Sequence, residues 1–223
     1  MAEDPDRKQR DQSALIPSLL AMTVVTGVVD AVSILRLGHV FVANMTGNVA
    51  FLGFALAGAS GFSVLASLVA IAAFLTGAAI TARSGGGTPH HALGRTAAVE
   101  AALCAAATVI TMAWSGTAAR YAITVVLALA MGGQNATARK LAVPDMTTTV
   151  LTLTLTGLAA DRPDLGQPGS HTRRRAGAVA ALLAGAISGA LLVLHGSTAW
   201  ALGFATAILA SVALAARLQT TTT

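Results

Sequence analysis

The sequence predicts an all-α integral membrane protein, on the basis of its composition, its apolar runs and its distribution of basic residues. Of the 223 residues, 55% are hydrophobic and 10% are charged, and the mean hydropathy is +0.72. Soluble domains carry about 25% charged residues, so this composition excludes a soluble globular protein. The apolar residues form runs of about 20, the length at which a helix crosses a hydrocarbon core of about 30 Å. The 14 Lys and Arg residues separate these runs and form no single basic face, which argues against nucleic acid as a partner.

The runs define one polytopic membrane domain between two short tails. Residues 1–12 mix acidic and basic side chains and are predicted to form a mobile N-terminal tail. Residues 13–217 form the membrane domain, with halves at about 13–116 and 117–217, and residues 218–223 form a C-terminal tail. Because the first run is too long for the apolar part of a signal peptide, we predict that it is the first membrane helix.

Two of the eight apolar runs differ from the others because they open with polar clusters. The runs cover residues 14–35, 40–59, 62–82, 93–114, 119–138, 143–160, 176–195 and 198–217. The second opens with Asn44, Thr46 and Asn48, and the sixth opens with Asp145, Thr148 and Thr149. After each cluster only about 10–13 apolar residues follow, which is half the length of a membrane span. We therefore predict six spanning helices plus two broken or re-entrant segments, with eight spanning segments as the alternative.

The basic residues discriminate between these arrangements through the positive-inside rule. With the N-terminus inside and eight spans, 9 Lys and Arg residues lie on the cytoplasmic side and 5 lie outside. Re-entrant second and sixth runs move Arg83, Arg95, Arg139 and Lys140 inside and Arg120 outside, which changes the split to 12 and 2. The six-span arrangement follows the rule better. It predicts a multi-pass protein of the bacterial cytoplasmic (inner) membrane with a cytoplasmic N-terminus.

The two halves of the chain share short motifs. Residues 27–31 read G-V-V-D-A and residues 132–136 read G-G-Q-N-A, and the tripeptides N-M-T and D-M-T follow at 44–46 and 145–147. With six spans the first and fifth runs cross in opposite directions, so the halves are predicted to be inverted repeats. Eight spans would make the repeats parallel. Inverted repeats are common in transporters, where broken helices meet near the membrane midplane.

The same motifs resemble a known family of bacterial membrane proteins. The matching segments are G-x-x-D-A-x-S at 27–33, F-V-A-N-M-T-G-N at 41–48, G-G-Q-N-A-x-A-R at 132–139 and D-M-T-T-T-V-L-T at 145–152. They are similar to the YoaK-like proteins, a family defined by a domain of unknown function, and the resemblance covers nearly the whole chain. It implies a small multi-pass inner-membrane protein of about six helices. It implies no substrate, mechanism or site residue.

Asp30 is the first candidate for a functional residue. It lies inside the first run, on the helical face that also carries Thr23, Thr26 and Ser33. A carboxylate at the centre of a membrane helix costs about 2.5–3.5 kcal/mol on insertion scales, so such residues usually face a cavity or a partner. Asp30 is therefore predicted to belong to a cation or proton site, with a structural pair to a neighbouring polar group as the alternative.

Other polar side chains extend this candidate site. Helix starts in the second and sixth runs would offer N–H groups to an anion or a carbonyl oxygen, although plain N-capping explains the same residues. Amides in the fifth run either reach the same cavity or hydrogen-bond a neighbouring helix. The predicted substrate- or ion-binding residues are Asp30, Asn44, Thr46, Asn48, Gln134, Asn135, Asp145, Thr148 and Thr149.

Two further features favour structural interpretations. Glu100 lies a turn or two into the fourth run, where an interfacial ion pair with Arg95 is preferred over a proton relay. Small residues recur every four positions along the seventh run, a spacing that lets helices approach closely. Gly177, Ala181, Gly185 and Gly189 are therefore predicted to form a helix-packing face, either within the chain or in a homo-oligomer.

These observations lead to one functional hypothesis and two alternatives. We predict a secondary transporter or channel for a small polar solute or ion, without a cofactor, a metal site or catalytic residues. The sequence contains no motif of ATP-binding loops, serine hydrolases or zinc proteases. The alternatives are a membrane-embedded enzyme acting on a lipid-like substrate and a non-catalytic subunit of a membrane complex.

Overall fold

The fold is helical throughout the part of the chain that the structure describes. The computed structural model describes residues 5–84, 87–143, 154–156 and 168–221, and these contain no strand. Helices α1 to α7 cover Pro5–Arg36, Met45–Leu56, Val64–Arg83, Pro89–Ala113, Thr117–Leu141, Pro168–His195 and Thr198–Thr221. Residues 154–156 are also helical. The prediction of an all-α membrane protein is confirmed.

Helix length separates α2 from the other helices. Within the described ranges, five helices are long and apolar enough to cross a membrane: Ser13–Arg36, Val64–Arg83, Pro89–Ala113, Thr172–His195 and Thr198–Gln219. Helix α5 has a comparable 25 residues, but it carries charged side chains near both ends and two amides in between. With only 12 residues, α2 rises about 18 Å, well short of a hydrocarbon core of about 30 Å. The matching part of the sixth run, residues 144–153 and 157–160, lies outside the described residues.

Helix α1 is the most deeply packed of the candidate spans. In its most apolar stretch 56% of the residues are buried, against 17% to 39% in the other four. It contacts α5, α6 and α7, and the Arg36 guanidinium at its end donates a hydrogen bond to the Val193 carbonyl of α6 at 2.9 Å. Polar residues on α1 consequently lie inside the bundle.

Glycines allow α1 and α6 to approach until their backbones touch. A Cβ atom added at Gly27 would overlap the backbone of Leu182, and one added at Gly185 would overlap the backbone of Val24. Only the absence of side chains on both helices permits this crossing, in line with the enrichment of small residues at membrane helix interfaces.

The small residues of α6 predicted from the sequence lie along this contact with α1. Gly177, Gly185 and Gly189 face Leu20, Val24 and Val28 of α1, and Ala181 is half-buried between them. Their partner in this structure is therefore a helix of the same chain.

A second crossing, between α3 and α5, has the same geometry. A Cβ at Gly132 would overlap the backbone of Phe74, and one at Gly77 would overlap the backbone of Leu129. In both crossings each glycine faces the residue three positions before the opposite glycine. Gly132 is also the residue that matches Gly27 in the sequence motif shared by the two halves.

The principal helix contacts follow the same correspondence. α1 packs along α6 as α5 packs along α3, and α1 contacts α7 as α5 contacts α4. The remaining large interface joins α4 to α7. Exchanging α1 with α5, α3 with α6 and α4 with α7 therefore reproduces the same set of principal contacts.

The glycine crossings generate a stability prediction. We expect Gly185→Ala and Gly77→Ala each to lower the free energy of unfolding by about 1–3 kcal/mol, the usual cost of overpacking a tight interface. The measurement is equilibrium unfolding of the detergent-solubilised protein by SDS, followed by far-UV circular dichroism.

The matched control is Gly203→Ala in α7. A Cβ at Gly203 meets no atom within 4 Å, and alanine is favoured over glycine inside a helix by about 1 kcal/mol. We expect this variant to unfold at the wild-type SDS concentration or above it. Wild-type stability of Gly185→Ala and Gly77→Ala would contradict the close backbone contact.

Candidate functional site

Asp30 connects α1 to the segment that leads into the short helix α2. This segment, residues 37–44, is called the α1–α2 loop here. Oδ1 of Asp30 accepts a hydrogen bond from the backbone N–H of Ala43 at 3.4 Å, and the side chain is half-buried. Asp30 lies six residues before Arg36, the last residue of α1. Its carboxylate is therefore placed beside the start of α2, toward one end of the bundle.

Asn48 holds the α1–α2 loop from the side of α2. Its Oδ1 accepts a hydrogen bond from the Phe41 N–H at 2.8 Å, and its Nδ2 donates to the Phe41 carbonyl at 2.6 Å. The side chain is completely buried, with 0% exposure. The amide therefore satisfies both backbone polar groups of Phe41, the N–H and the carbonyl, in the way that a paired residue on a neighbouring β-strand does. The Phe41 ring stacks on Phe51 with centroids 5.4 Å apart, which fixes the loop further.

The remaining predicted residues of the α2 cluster have simpler surroundings. Asn44 is the N-cap of α2, and its Oδ1 accepts a hydrogen bond from the Gly47 N–H at 3.2 Å. This is the capping interaction that the sequence left open as an alternative. Thr46 is exposed. The corresponding residues of the sixth run, Asp145, Thr148 and Thr149, lie outside the described residues.

Gln134 belongs to a second polar group, formed with Thr26 and Glu100 and called the Glu100 cluster here. The exposed fractions of Gln134, Thr26 and Glu100 are 2%, 3% and 1%. One end of the Gln134 amide lies 2.8 Å from Thr26 Oγ1. The other end lies 2.6 Å from Glu100 Oε1 and 3.1 Å from Glu100 Oε2. The cluster thus joins α1, α4 and α5 through three buried side chains.

The ion pair predicted between Glu100 and Arg95 is wrong. Arg95 is exposed, and its guanidinium donates to Ser84 Oγ at 2.9 Å. Glu100 instead faces the bundle interior, eleven residues after the start of α4 and thirteen before its end. Sequence reasoning missed this placement, although Thr96 and Cys104 lie four residues before and after Glu100 on the same buried face.

A pair of threonines extends the Glu100 cluster along the α4–α5 interface. Thr96 Oγ1 and Thr137 Oγ1 are 2.7 Å apart, and either hydroxyl can be the donor. Both side chains are buried. Thr96 precedes Glu100 by one helical turn, and Thr137 follows Gln134 by three residues. The threonine pair therefore lies one helical turn, about 5–6 Å along the helix axes, from the Glu100 cluster.

Asn135 is next to Gln134 in the sequence but faces a different direction. Its Nδ2 donates to the Met131 carbonyl of the same helix at 2.9 Å, and the side chain is half-buried. Asn135 follows Gly132 by three residues, as Asp30 follows Gly27. Asp30 and Asn135 thus occupy corresponding positions relative to the two glycine crossings.

The two polar groups meet on α1. Thr26 of the Glu100 cluster precedes Asp30 by four residues, which places both on one face of the helix, one turn apart. The Thr26 hydroxyl also lies 3.1 Å from the Met22 carbonyl of its own helix. Of the predicted site residues in the described ranges, the structure brings Asp30 and Asn48 to the α1–α2 loop. It places Gln134 with Glu100 and Thr26, one turn from Asp30, and it places Thr46 exposed in the first turn of α2.

Comparison with known proteins identifies a family. The family described as "Protein of unknown function (DUF1275)" matches residues 18–215. The UPF0700 transmembrane protein YoaK of Bacillus subtilis (strain 168) is 32% identical over 148 residues, which cover 65% of this chain and 64% of YoaK. The match therefore spans just under two thirds of that relative, and no solved structure matches the chain. The match to the family model includes both polar groups and both glycine crossings, and the chain belongs to the DUF1275 family of multi-pass membrane proteins.

Proposed function

We propose that the protein is a secondary transporter that carries a small polar solute across the bacterial cytoplasmic membrane. The observation that supports this most directly is the correspondence of the two glycine crossings, α1 with α6 and α5 with α3. With six spanning helices and a cytoplasmic N-terminus, α1 and α5 cross the membrane in opposite directions, so the repeat is inverted. Inverted repeats whose broken helices meet near the midplane are a recurring architecture of secondary transporters.

The short helix α2 has the properties of the broken element in such a repeat. Its 12 residues do not cross a membrane, and its entry is held by Asp30 and Asn48. Irregular backbone at membrane depth is tolerated only where protein groups or a water-filled cavity satisfy its N–H and carbonyl groups. In this proposal α2 enters and leaves on the outer side, and the segment around Asp145, Thr148 and Thr149 is its counterpart on the inner side.

Asp30 is the proposed contact for the solute. Its hydrogen bond to Ala43 is long, at 3.4 Å, and a carboxylate has about four acceptor sites for N–H and O–H donors. The charge favours a solute that presents an amine or several hydroxyl groups. Asn135 occupies the corresponding position in the second half and is the proposed contact from that side, with Gln134 nearby.

Buried hydrogen bonds favour a carrier over a channel. Thr26, Glu100 and Gln134 are almost completely buried and contact one another. Polar side chains that line an open pore would instead be exposed to water. The hydrogen bonds among these three side chains join three helices and leave no open pore between them. A carrier needs such a closed conformation to block the path of the solute through the membrane.

The proposed topology is tested by cysteine labelling. In a Cys104→Ala background, we expect His39→Cys and Ser60→Cys to react with an impermeant maleimide in intact cells, because α2 returns to the side from which it enters. We expect Thr88→Cys to react only after lysis, because α3 has crossed to the cytoplasm by then.

The three positions form a matched set because all are exposed to solvent in the structure. Protection of Ser60→Cys together with labelling of Thr88→Cys in intact cells would establish that α2 spans the membrane. That result would contradict the re-entrant segment and the six-span arrangement.

The role of Asp30 is tested by Asp30→Asn in proteoliposomes. The asparagine oxygen still accepts the hydrogen bond of Ala43, but the charge is removed. Hydrogen bonds to charged groups contribute about 1.5–3 kcal/mol, so we expect uptake of the transported solute to fall about tenfold or more. The measurement is uptake from a labelled panel of amino acids, amines and polyols, first by the wild-type protein.

Size-exclusion elution and thermal unfolding of Asp30→Asn serve as the control, and we expect both to match those of the wild-type protein. Asp30→Ala loses both the charge and the contact to the α1–α2 loop, so we expect it to unfold at a lower temperature. Unchanged uptake by Asp30→Asn would remove Asp30 from the site, and absence of wild-type uptake across the panel would count against a transporter.

A further inference from the structure

We propose that Glu100 is a proton-binding site and that the proton it binds drives the solute transport proposed above, on which this inference rests. Among the described residues, Glu100 is the acidic side chain closest to the middle of a membrane helix, with 1% exposure. It makes a short contact with Gln134, and a pair of buried threonines lies one turn away from it.

The Glu100–Gln134 contact supports two complete sets of hydrogen bonds, which differ by one proton. In the first set the Gln134 amide nitrogen faces Glu100 and donates to Oε1 and Oε2 at 2.6 and 3.1 Å. The Gln134 amide oxygen then accepts from the Thr26 hydroxyl at 2.8 Å. This set suits an ionised carboxylate, which accepts hydrogen bonds and donates none.

The second set requires a protonated carboxyl group. With the amide oxygen toward Glu100, two oxygen atoms face each other across a hydrogen-bonding distance, and Glu100 must donate the proton between them. The amide nitrogen then donates to Thr26 Oγ1 at 2.8 Å, and the Thr26 hydroxyl donates to the Met22 carbonyl at 3.1 Å. Each protonation state of Glu100 therefore has a matching orientation of the Gln134 amide and of the Thr26 hydroxyl.

This pairing links the protonation state of Glu100 on α4 to the hydrogen bonds of Thr26 on α1. When Glu100 loses its proton, the Gln134 amide turns and the Thr26 hydroxyl transfers its hydrogen bond from Met22 of α1 to Gln134 of α5. Thr26 lies one turn from Asp30, the proposed solute contact. A change of charge at Glu100 thereby alters the contact between α1 and α5 beside the solute site.

The threonine pair provides the exit for the proton. In the release step the O–H bond of Glu100 breaks, its electron pair stays on the carboxylate, and a water molecule on the cytoplasmic side finally takes up the proton, on a path that passes the hydroxyls of Thr96 and Thr137, which lie 2.7 Å apart. The pair lies one turn from Glu100 toward the start of α4 and the end of α5. The six-span arrangement places those helix ends on the cytoplasmic side.

The other titratable groups on the packed helices lie away from the cluster or at its margin. Cys104 is buried one turn further along α4, and Asp30 lies one turn beyond Thr26 on α1. The basic side chains of α5 and α7 are exposed near the helix ends: Arg120, Arg139, Lys140 and Arg217. Tyr121 is half-buried in the first turns of α5, and His90, His91 and Arg95 lie in the first two turns of α4.

The test combines infrared spectroscopy with transport, so that the two proposals can fail separately. For the wild-type protein in liposomes, we expect a pH jump to change a protonated-carboxyl band that is absent in Glu100→Gln and present in the control Cys104→Ala. This readout needs no solute. A band unchanged in Glu100→Gln would overturn the proton site, whether or not the protein transports anything.

The transport arm uses a solute found by the uptake panel. Glutamine resembles the protonated acid, so we expect Glu100→Gln to lose uptake driven by an inward proton gradient and to retain solute exchange without a gradient. Equal gradient-driven uptake by Glu100→Gln and wild type would overturn the coupling. If Glu100→Gln does not fold, Gln134→Leu takes its place in the infrared measurement. Loss of the amide partner is expected to shift the frequency of the Glu100 carboxyl band. An unshifted band would overturn the contact between Glu100 and Gln134.

Discussion

Backbone polar groups inside a bilayer have no water to bind, and many of the polar side chains in this structure meet that constraint by binding backbone groups. Helices satisfy most of these groups internally, and in the α1–α2 loop, where the helix is interrupted, side chains bind backbone groups instead. Asn48 satisfies both polar groups of Phe41, and Asp30 accepts the N–H of Ala43. Threonine hydroxyls within the long helices bond back to carbonyls of the preceding turn, as Thr23 does with Leu19 at 2.9 Å. These polar side chains therefore serve to hydrogen-bond backbone N–H and carbonyl groups.

The apolar surroundings also explain why the long helices approach so closely. Between membrane helices, association depends on van der Waals packing and hydrogen bonds, because lipid is as apolar as leucine. Gly27 and Gly132 remove the side chains that would separate the helices, and the residues beside them reach across to other elements. Thr26 precedes Gly27 and meets Gln134, which itself follows Gly132 by two residues. Packing and polar contact are therefore built from positions one or two residues apart, which point to different sides of the same two helices.

Sequence reasoning recovered what depends on composition and local spacing. The membrane class, the short second helix, the N-cap at Asn44 and the small-residue face of α6 all follow from runs of residue types. Glu100 could not be placed in this way, because the rotation of α4 about its axis is set by its contacts with α5 and α7. The double contact of Asn48 with Phe41 was equally inaccessible, since it depends on the path of a loop whose backbone angles the residue types leave open. Asp145, Thr148 and Thr149 lie outside the described residues, so that half of the sequence-based site stays a prediction.

The pairing of α1 with α6 also bears on how the chain is made. The hydrogen bond from Arg36 to the Val193 carbonyl joins residues separated by 157 positions, and the glycine face of α1 has its partner in the same distant helix. During synthesis α1 enters the membrane long before α6 exists, so that face must first be covered by lipid or by an insertion factor. Because α3 likewise packs with α5 of the other half, the two halves are interlaced, and neither contains the partners needed to fold by itself. A single half on its own would consequently need a second half beside it to complete the contacts of α1 and α3.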